Sequence, residues 1–270
     1  MTHTDLVIVG YGVVGQNMHK LFPGAAVHDP AKRHEAFEWT DTYGQTQSAR
    51  YQIAIICVPT DMRDDGSCDT SIVARVIDEL DADVYLVKST VPPGTCKRLS
   101  ETLGKRVVFS PEFFGGTQHA NAVDYDFVIL GGKRPDTDVV AEAYKEIKPG
   151  SYRIMKTDST TAELVKYAEN SFLLTKVRFF VEFYRLAETI GVDVDEFREL
   201  LLLDPRIGRS HTFTYRDHPY SESHCLDKDC PAIVHYAREQ GVDMPMLSEA
   251  IDANDRAKAG EERWARDGGV

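Results

Sequence analysis

Leu6-Val7-Ile8-Val9-Gly10-Tyr11-Gly12-Val13-Val14-Gly15 decides the fold. Four aliphatic residues in a row, with no polar alternation, suit a strand buried on both faces. Gly10, Gly12 and Gly15 then have the G-x-G-x-x-G spacing of a dinucleotide-binding turn. The first glycine allows the tight turn, the second lets a pyrophosphate approach, and the third lets helix and strand pack closely. The helix opened by this turn should run to about Leu21. A second strand is expected over Ala25–Asp29. Asp29 ends it about 20 residues after Gly10, the place for a carboxylate on a ribose 2′-hydroxyl. That favours NAD over NADP, because a 2′-phosphate would be repelled, although Lys32 and Arg33 follow with the opposite charge. The expected cofactor contacts here are Gly10, Tyr11, Gly12, Val13, Val14, Gly15 and Asp29.

The same logic extends downstream. Further apolar runs at Ile53–Val58 (stopped by Pro59), Val84–Lys88 (stopped by Pro92-Pro93-Gly94), Arg106–Phe109 and Phe127–Leu130 read as strands. Helical patterns fall at Thr70–Leu80 and Thr95–Leu103. Apolar strands separated by helices imply a doubly wound parallel sheet covered on both faces. The second half changes character. Thr160-Thr161-Ala162-Glu163 has a capping-box pattern, and no Gly or Pro follows until Gly191. One helix of about 30 residues, roughly 45 Å long, is expected there. Shorter helices are expected at Asp193–Leu203, Lys228–Gln240 and Pro245 to about Arg266, and a frayed tail over Trp264–Val270. Asp204–His224 has no periodicity and reads as a loop lining a site. The fold class is therefore α/β: a Rossmann-type NAD-binding domain over 1–156, then an all-helical domain over 157–270 built on one long central helix. The apolar positions of that helix cover more than a narrow stripe, which implies a homodimer through 161–190.

Composition narrows the function. The 270 residues carry 43 acidic and 31 basic side chains, a net charge of −12, which disfavours nucleic acid as a partner. No apolar run reaches the roughly 18 residues of a membrane span. Met1–Asp5 lack the basic start of a signal peptide, so a cytoplasmic location is expected. The five cysteines, Cys57, Cys68, Cys96, Cys225 and Cys230, are an odd number without zinc-knuckle spacing, so neither a disulfide framework nor a metal site is expected.

Cys225 stands in Cys225-Leu226-Asp227-Lys228-Asp229. A thiol in a dinucleotide enzyme can capture an aldehyde as a thiohemiacetal and allow a second oxidation. A following helix N-terminus and Lys228 would favour its thiolate. Lys166 and Asn170 are four apart on the long helix, so a cation and an amide donor share one face and could converge on one oxyanion.

Val58-Pro59-Thr60, Lys88-Ser89-Thr90-Val91-Pro92-Pro93-Gly94-Thr95, Ser110-Pro111-Glu112-Phe113, Glu163 to Asn170, Asp204-Pro205-Arg206-Ile207-Gly208 and Cys225 to Asp229 occur in this order. Together they resemble the UDP-glucose and GDP-mannose 6-dehydrogenases, over about Asp5 to Met246. Pro-Glu-Phe and Cys-x-x-Lys-Asp resemble the glucose and mannose branch rather than the amino-sugar branch. The resemblance implies oxidation of a sugar C6 alcohol to a carboxylate with two NAD. Cys225 would be the nucleophile, and Lys166 and Asn170 would stabilise the oxyanion. Asp229 and Thr90 would organise base or water, and Glu112 would assist thioester hydrolysis. Glu112, Phe113, Lys166, Asn170, Arg206 and Lys228 would contact substrate. Val58, Pro59, Thr60, Ser89 and Thr90 would join the cofactor contacts.

Three departures from the family pattern stand out. The glycine-rich run before the cysteine is replaced by His218-Pro219-Tyr220-Ser221-Glu222-Ser223-His224, and the glutamate soon after Pro-Glu-Phe is absent from Phe114-Gly115-Gly116-Thr117. The chain stops at Val270, about where the linker to the family's further nucleotide-gripping domain would begin. Three functions stay open: a shortened nucleotide-sugar 6-dehydrogenase, a two-electron β-hydroxyacid-type dehydrogenase using Lys166 and Asn170 on a smaller hydroxy substrate, and a non-catalytic NAD-binding structural or regulatory protein.

Overall fold

The computed structural model describes residues 6–30, 50–113, 126–147, 150 and 153–261. The described residues fall into two compact units, those up to 63 with those from 68 to 166, and 64–67 with those from 167 to 261.

The first unit is a seven-stranded sheet in the order β2-β1-β3-β4-β5-β6-β7. The strands are β1 (Leu6–Val9), β2 (Ala26–His28), β3 (Tyr51–Ile56), β4 (Ala82–Val87), β5 (Val107–Phe109), β6 (Phe127–Gly131) and β7 (Arg153–Thr157). The helices of this unit are α1 (Val13–Leu21), α2 (Ser71–Glu79), α3 (Thr95–Leu103) and α4 (Arg134–Ile147). Alternate residues of the strands point to opposite faces. Val9, Ile56, Tyr85, Val87 and Phe109 pack with Val73, Val76 and Ile77 of α2 and with Cys96 and Leu99 of α3. Ile8, Ile53, Ile55, Leu86 and Val108 pack with Met18 and Leu21 of α1 and with Val140 and Tyr144 of α4. Both faces are covered, which is why the central strands carry no polar alternation.

The expected all-parallel sheet is corrected at one edge. β1 to β5 are mutually parallel, but β6 pairs antiparallel with β5, and β7 continues parallel to β6. β3 and β4 each begin two residues earlier than expected, at Tyr51 and Ala82, and end at Ile56 and Val87. Chain order reverses direction at β1, with β2 on one side and β3 on the other. Ligands of such sheets bind beyond the strand C-termini at this switch point.

The long helix, α5 (Ser159–Thr189), has 31 residues and is about 46 Å long. Its cap differs from the expected capping box. Asp158 accepts from Thr161 N at 2.9 Å and from Thr161 Oγ1 at 2.6 Å, while Glu163 turns to another helix. The second unit contains the rest of α5 with α6 (Val194–Leu201), α7 (His224–Glu239) and α8 (Pro245–Lys258). α7 starts four residues before the expected Lys228 because Ser223 caps it, its Oγ accepting from Leu226 N. α8 ends at Lys258 rather than near Arg266; the expected fraying of the tail lies outside the described residues. Residues 202–223 form no helix or strand. Side chains of the unit pin this stretch by its carbonyls. Lys176 reaches Ile207 O and Gly208 O, Tyr184 reaches Thr212 O, and Arg178 reaches Pro219 O.

Candidate functional site

In the first unit the chemistry gathers where β1, β3, β4 and β5 end. At the β1–α1 turn Gly10 takes φ +92°, and a Cβ there would lie 2.5 Å from Cys57 O. A Cβ on Gly15 would lie 1.9 Å from Gly10 O, so helix and turn meet backbone to backbone. Gly12 is different: nothing lies within 4 Å of a Cβ built there, although it caps α1. The α1 N-terminus has no side-chain cap and no acid in its first turn. It is an open end of a helix dipole, suited to a pyrophosphate. Asp29 accepts from Tyr11 N at 2.7 Å, which fixes its carboxylate beside the turn. Val13 is exposed and Val14 half-buried on the same first turn. These residues fit a dinucleotide. Lys32 and Arg33 lie outside the described residues.

Val58 and Thr60 are buried after β3, and Pro59 is exposed. Ser89 Oγ donates to Val58 O at 2.7 Å, tying the turn after β4 to the turn after β3. Thr90 is half-buried, and its carbonyl faces the Cys68 thiol. Glu112 is buried after β5 against Lys88, Oε2 to Nζ 3.2 Å. Phe113 packs on Phe127, with ring centroids 5.3 Å apart. Lys166 Nζ lies 5.4 Å from the Phe113 ring centroid, and the lysine is buried. Phe114–Thr117, where the second acid was sought, lie outside the described residues.

In the second unit α5 and α7 bring three expected residues together. Asn170 Nδ2 donates to Asp229 Oδ2 at 2.7 Å, and Lys228 Nζ donates to Asp229 Oδ1. Asn170 and Asp229 are 3 % and 1 % exposed, so Asp229 is a buried acid held by an amide and an ammonium. Cys225 is the second residue of α7, inside the first helical turn rather than ahead of it. It is exposed, whereas Cys68, Cys96 and Cys230 are buried and Cys57 is half-buried. Burial pushes the Cys57 and Cys96 thiols far up and the Cys230 thiol up to about 12, so these three stay protonated. The thiol with access to a substrate is Cys225. Arg206 is 87 % exposed and forks onto Asp204, which places it on the loop surface rather than in the Asn170–Asp229 network. Ahead of α7, Asn254 holds Ser221 by both its N–H and its carbonyl, and Tyr220 Oη lies 3.5 Å from Glu222 Oε1.

Lys88 has no role among the expected site residues, and Glu163 is expected only to cap its own helix. Lys88 is the one cation in the apolar run 84–88, a signal in itself. Glu163 accepts from Gly94 N at 2.6 Å and Cys96 N at 2.8 Å, capping α3 instead of its own helix. Burial pushes its carboxyl up to about 7.

Among the described residues no cluster of His, Cys, Asp and Glu is arranged to hold a metal ion, and no helix is long and apolar enough to cross a membrane. A Rossmann dinucleotide domain followed by a helical domain with a buried Asn–Asp pair and an accessible thiol defines a class of dehydrogenase folds. Within it, the chain belongs to the UDP-glucose/GDP-mannose dehydrogenase family. The family's NAD-binding domain matches residues 26–148 and its central domain residues 160–256. UDP-glucose 6-dehydrogenase of Rickettsia bellii is 29% identical over 239 residues, covering 83% of this chain and 54% of its own length. UDP-glucose 6-dehydrogenase AglM of Haloferax volcanii is 32% identical over 226 residues, covering 74% and 51%. A UDP-glucose dehydrogenase from Pyrobaculum islandicum has the same fold, with TM-score 0.77 and 23% identity over 94% of this chain and 71% of that one. The chain spans about half the length of these curated relatives.

Proposed function

We propose that this chain carries the cofactor and catalytic parts of an NAD-dependent nucleotide-sugar 6-dehydrogenase, oxidising a C6 alcohol to a carboxylate through Cys225. The observation that carries the proposal is the buried Asn170–Asp229–Lys228 network on α5 and α7, with an accessible thiol one turn before Asp229. Packing alone does not call for a buried acid with two polar partners, since an apolar pair would serve as well.

NAD, held by Gly10–Gly15, Asp29, Val58–Thr60 and Ser89–Thr90, supplies a two-electron hydride acceptor when bound. The chain's own residues do the rest. Lys166 and Asn170 donate to the oxygen that gains negative charge, first the C6 alkoxide and then the thiohemiacetal oxygen. Cys225 sulfur bonds the aldehyde carbon and holds it for the second oxidation, which leaves a thioester. Asp229 and Thr90 orient the proton-accepting water, and Glu112 takes a proton from the water that hydrolyses the thioester. Arg206 and Lys228 contact the substrate's anionic part. The working form is a homodimer: Phe172, Phe179, Phe183 and Leu186 are exposed along one side of α5 at spacings of 7, 4 and 3, with Ile190 just past its end, an apolar stripe that a second copy would cover.

The experiment is NADH formation with UDP-glucose or GDP-mannose, beside Cys225→Ser. Two NADH per substrate in the wild type and no acid in the variant are expected. One NADH per substrate, unchanged in the variant, would instead give a two-electron dehydrogenase. Calorimetric NAD binding without any turnover would leave a non-catalytic NAD-binding protein.

A further inference from the structure

Lys88 follows the last residue of β4, and its side chain is 5 % exposed. A lysine normally keeps its ammonium in water, because desolvating it is costly. This one is turned inward and meets three consecutive residues: it donates to Ser110 Oγ and to Pro111 O, each at 3.2 Å, and forms an ion pair with Glu112 Oε2 at 3.2 Å. Its own backbone is fixed to β3, with Lys88 N donating to Ile56 O at 2.8 Å. Ser110 N donates to Val87 O, the rung that follows the end of β5. Beyond that rung Pro111 has no N–H to offer the sheet. The Lys88 ammonium takes over where this backbone pairing ends.

We propose that Lys88 is a positioning residue for the hydrolytic half of the reaction, gripping Ser110-Pro111-Glu112 and so setting where the Glu112 carboxylate stands. The inference rests on the role given to Glu112 above. In that step the oxygen of water bonds the thioester carbon. The carbon–sulfur bond breaks with its electron pair on Cys225 sulfur. The proton released by water passes to Glu112 and returns to the sulfur, and no electron changes hands. A base serves this step only within hydrogen-bond reach of the water. A displacement of about 1 Å costs on the order of 10²-fold in rate. Phe113, the next residue, is held separately by Phe127 and Lys166, so loss of Lys88 frees Glu112 without releasing the whole segment.

The test compares Lys88→Met, Lys88→Arg, Glu112→Gln and the double variant K88M/E112Q, with NAD and UDP-glucose. Lys88→Met should keep NAD affinity and the first NADH burst while steady-state turnover drops about 10²-fold. Lys88→Arg should recover part of the loss, and the double variant should turn over no more slowly than Glu112→Gln alone. Additive losses, or loss of the burst and of NAD affinity together with turnover, would overturn the proposal, because Lys88 would then be holding the fold. If Lys88→Met does not fold, the comparison is made between the double variant and Glu112→Gln, since the double variant removes the buried cation together with its anion. If the wild type does not turn over, the reading of the function falls, and hydrogen exchange decides this one. The amide of Glu112 should lose protection in the double variant while those of β4 keep theirs. Unchanged protection at Glu112 would refute the grip.

Discussion

Replacing Glu163 with glutamine should flatten part of the pH dependence of stability. The Glu163 carboxyl is fully buried and accepts from Gly94 N and Cys96 N at the start of α3. Two amide donors at a helix N-terminus favour a carboxylate. Burial acts the other way and is the larger effect, pushing the group from its ordinary 4.5 up to about 7. Between those values the folded state holds a proton that the unfolded chain releases. Stability is therefore highest below about 4.5 and is lost as pH rises through about 7. At about 1.4 kcal/mol per pKa unit, this one group removes about 3 kcal/mol across the window.

In Glu163→Gln the amide oxygen accepts one N–H but the NH₂ cannot accept the other. The variant therefore starts about 1–3 kcal/mol less stable at pH 5. Its deficit should close, and can reverse sign, by pH 8. Urea unfolding of both proteins at half-unit steps measures the gap directly, and groups common to both cancel. A gap that stays constant from pH 5 to pH 8 would show that the two N–H groups keep the carboxylate ionised throughout, and the burial argument would be wrong.

Burial, then Lys176, lowers the pKa of His211, which has φ 60°. Its contribution is present above the ordinary value of 6.5 and is lost as pH falls through it. His211→Asn tolerates the backbone and should lose this acid sensitivity, seen as a smaller drop in melting temperature between pH 7 and pH 5.5. Gly15→Ala should destabilise the first unit by about 3 kcal/mol, because its Cβ meets Gly10 O at 1.9 Å. Gly12→Ala, in open space, should leave melting within about 0.5 kcal/mol yet weaken NAD binding by calorimetry. Equal effects of the two glycine variants on folding would contradict the geometry. Phe179→Glu with Leu186→Glu should convert a dimer to a monomer in sedimentation, and a monomeric wild type would refute the α5 interface.

What could be read from the chain, and what could not, follows from where the signal is local. β1, β3 and β4 are buried on both faces, so their apolar runs stand out, and the three glycines announce the β1–α1 turn. β7 is an edge strand whose Arg153, Lys156 and Thr157 interrupt any apolar run, so it escapes notice. α4 escapes as well, although Val139, Val140, Ala143, Tyr144 and Ile147 repeat at helical spacing; its burial against β6 and β4 is legible only once the sheet exists. The direction of β6 is set by chain connectivity, which no periodicity encodes. Glu163 shows the limit most sharply. Its spacing from Thr160 satisfies a capping box, yet its partners lie 69 and 67 residues away. In the candidate site, Asn170 and Asp229 were nameable from motifs, but their bond joins residues 59 apart and exists only in the fold.

The described interior contains four buried acids, Glu112, Asp136, Glu163 and Asp229, and their partners separate their roles. Asp136 faces the half-exposed Arg106 at the strand ends opposite the dinucleotide turn, an ordinary ion pair at a helix start. Glu163 is bonded by the backbone N–H groups of Gly94 and Cys96 and by the Cys96 thiol, all at the start of α3, so its charge is answered by a helix end and its effect is on folding. Glu112 and Asp229 each meet a lysine, and each stands near an element end that also presents chemistry: a strand C-terminus beside Ser89 and Thr90, and α7 one turn after Cys225. An acid answered by a lysine ammonium can share that cation with a substrate oxygen or a water. An acid answered by two amides of a helix end cannot do so without unfastening the helix. On that ground substitution at Glu112 or Asp229 should change rates more than stability, and substitution at Glu163 the reverse. Melting curves and turnover measured on the same three glutamine or asparagine variants decide it, and a Glu163 variant that melts normally but turns over slowly would break the division.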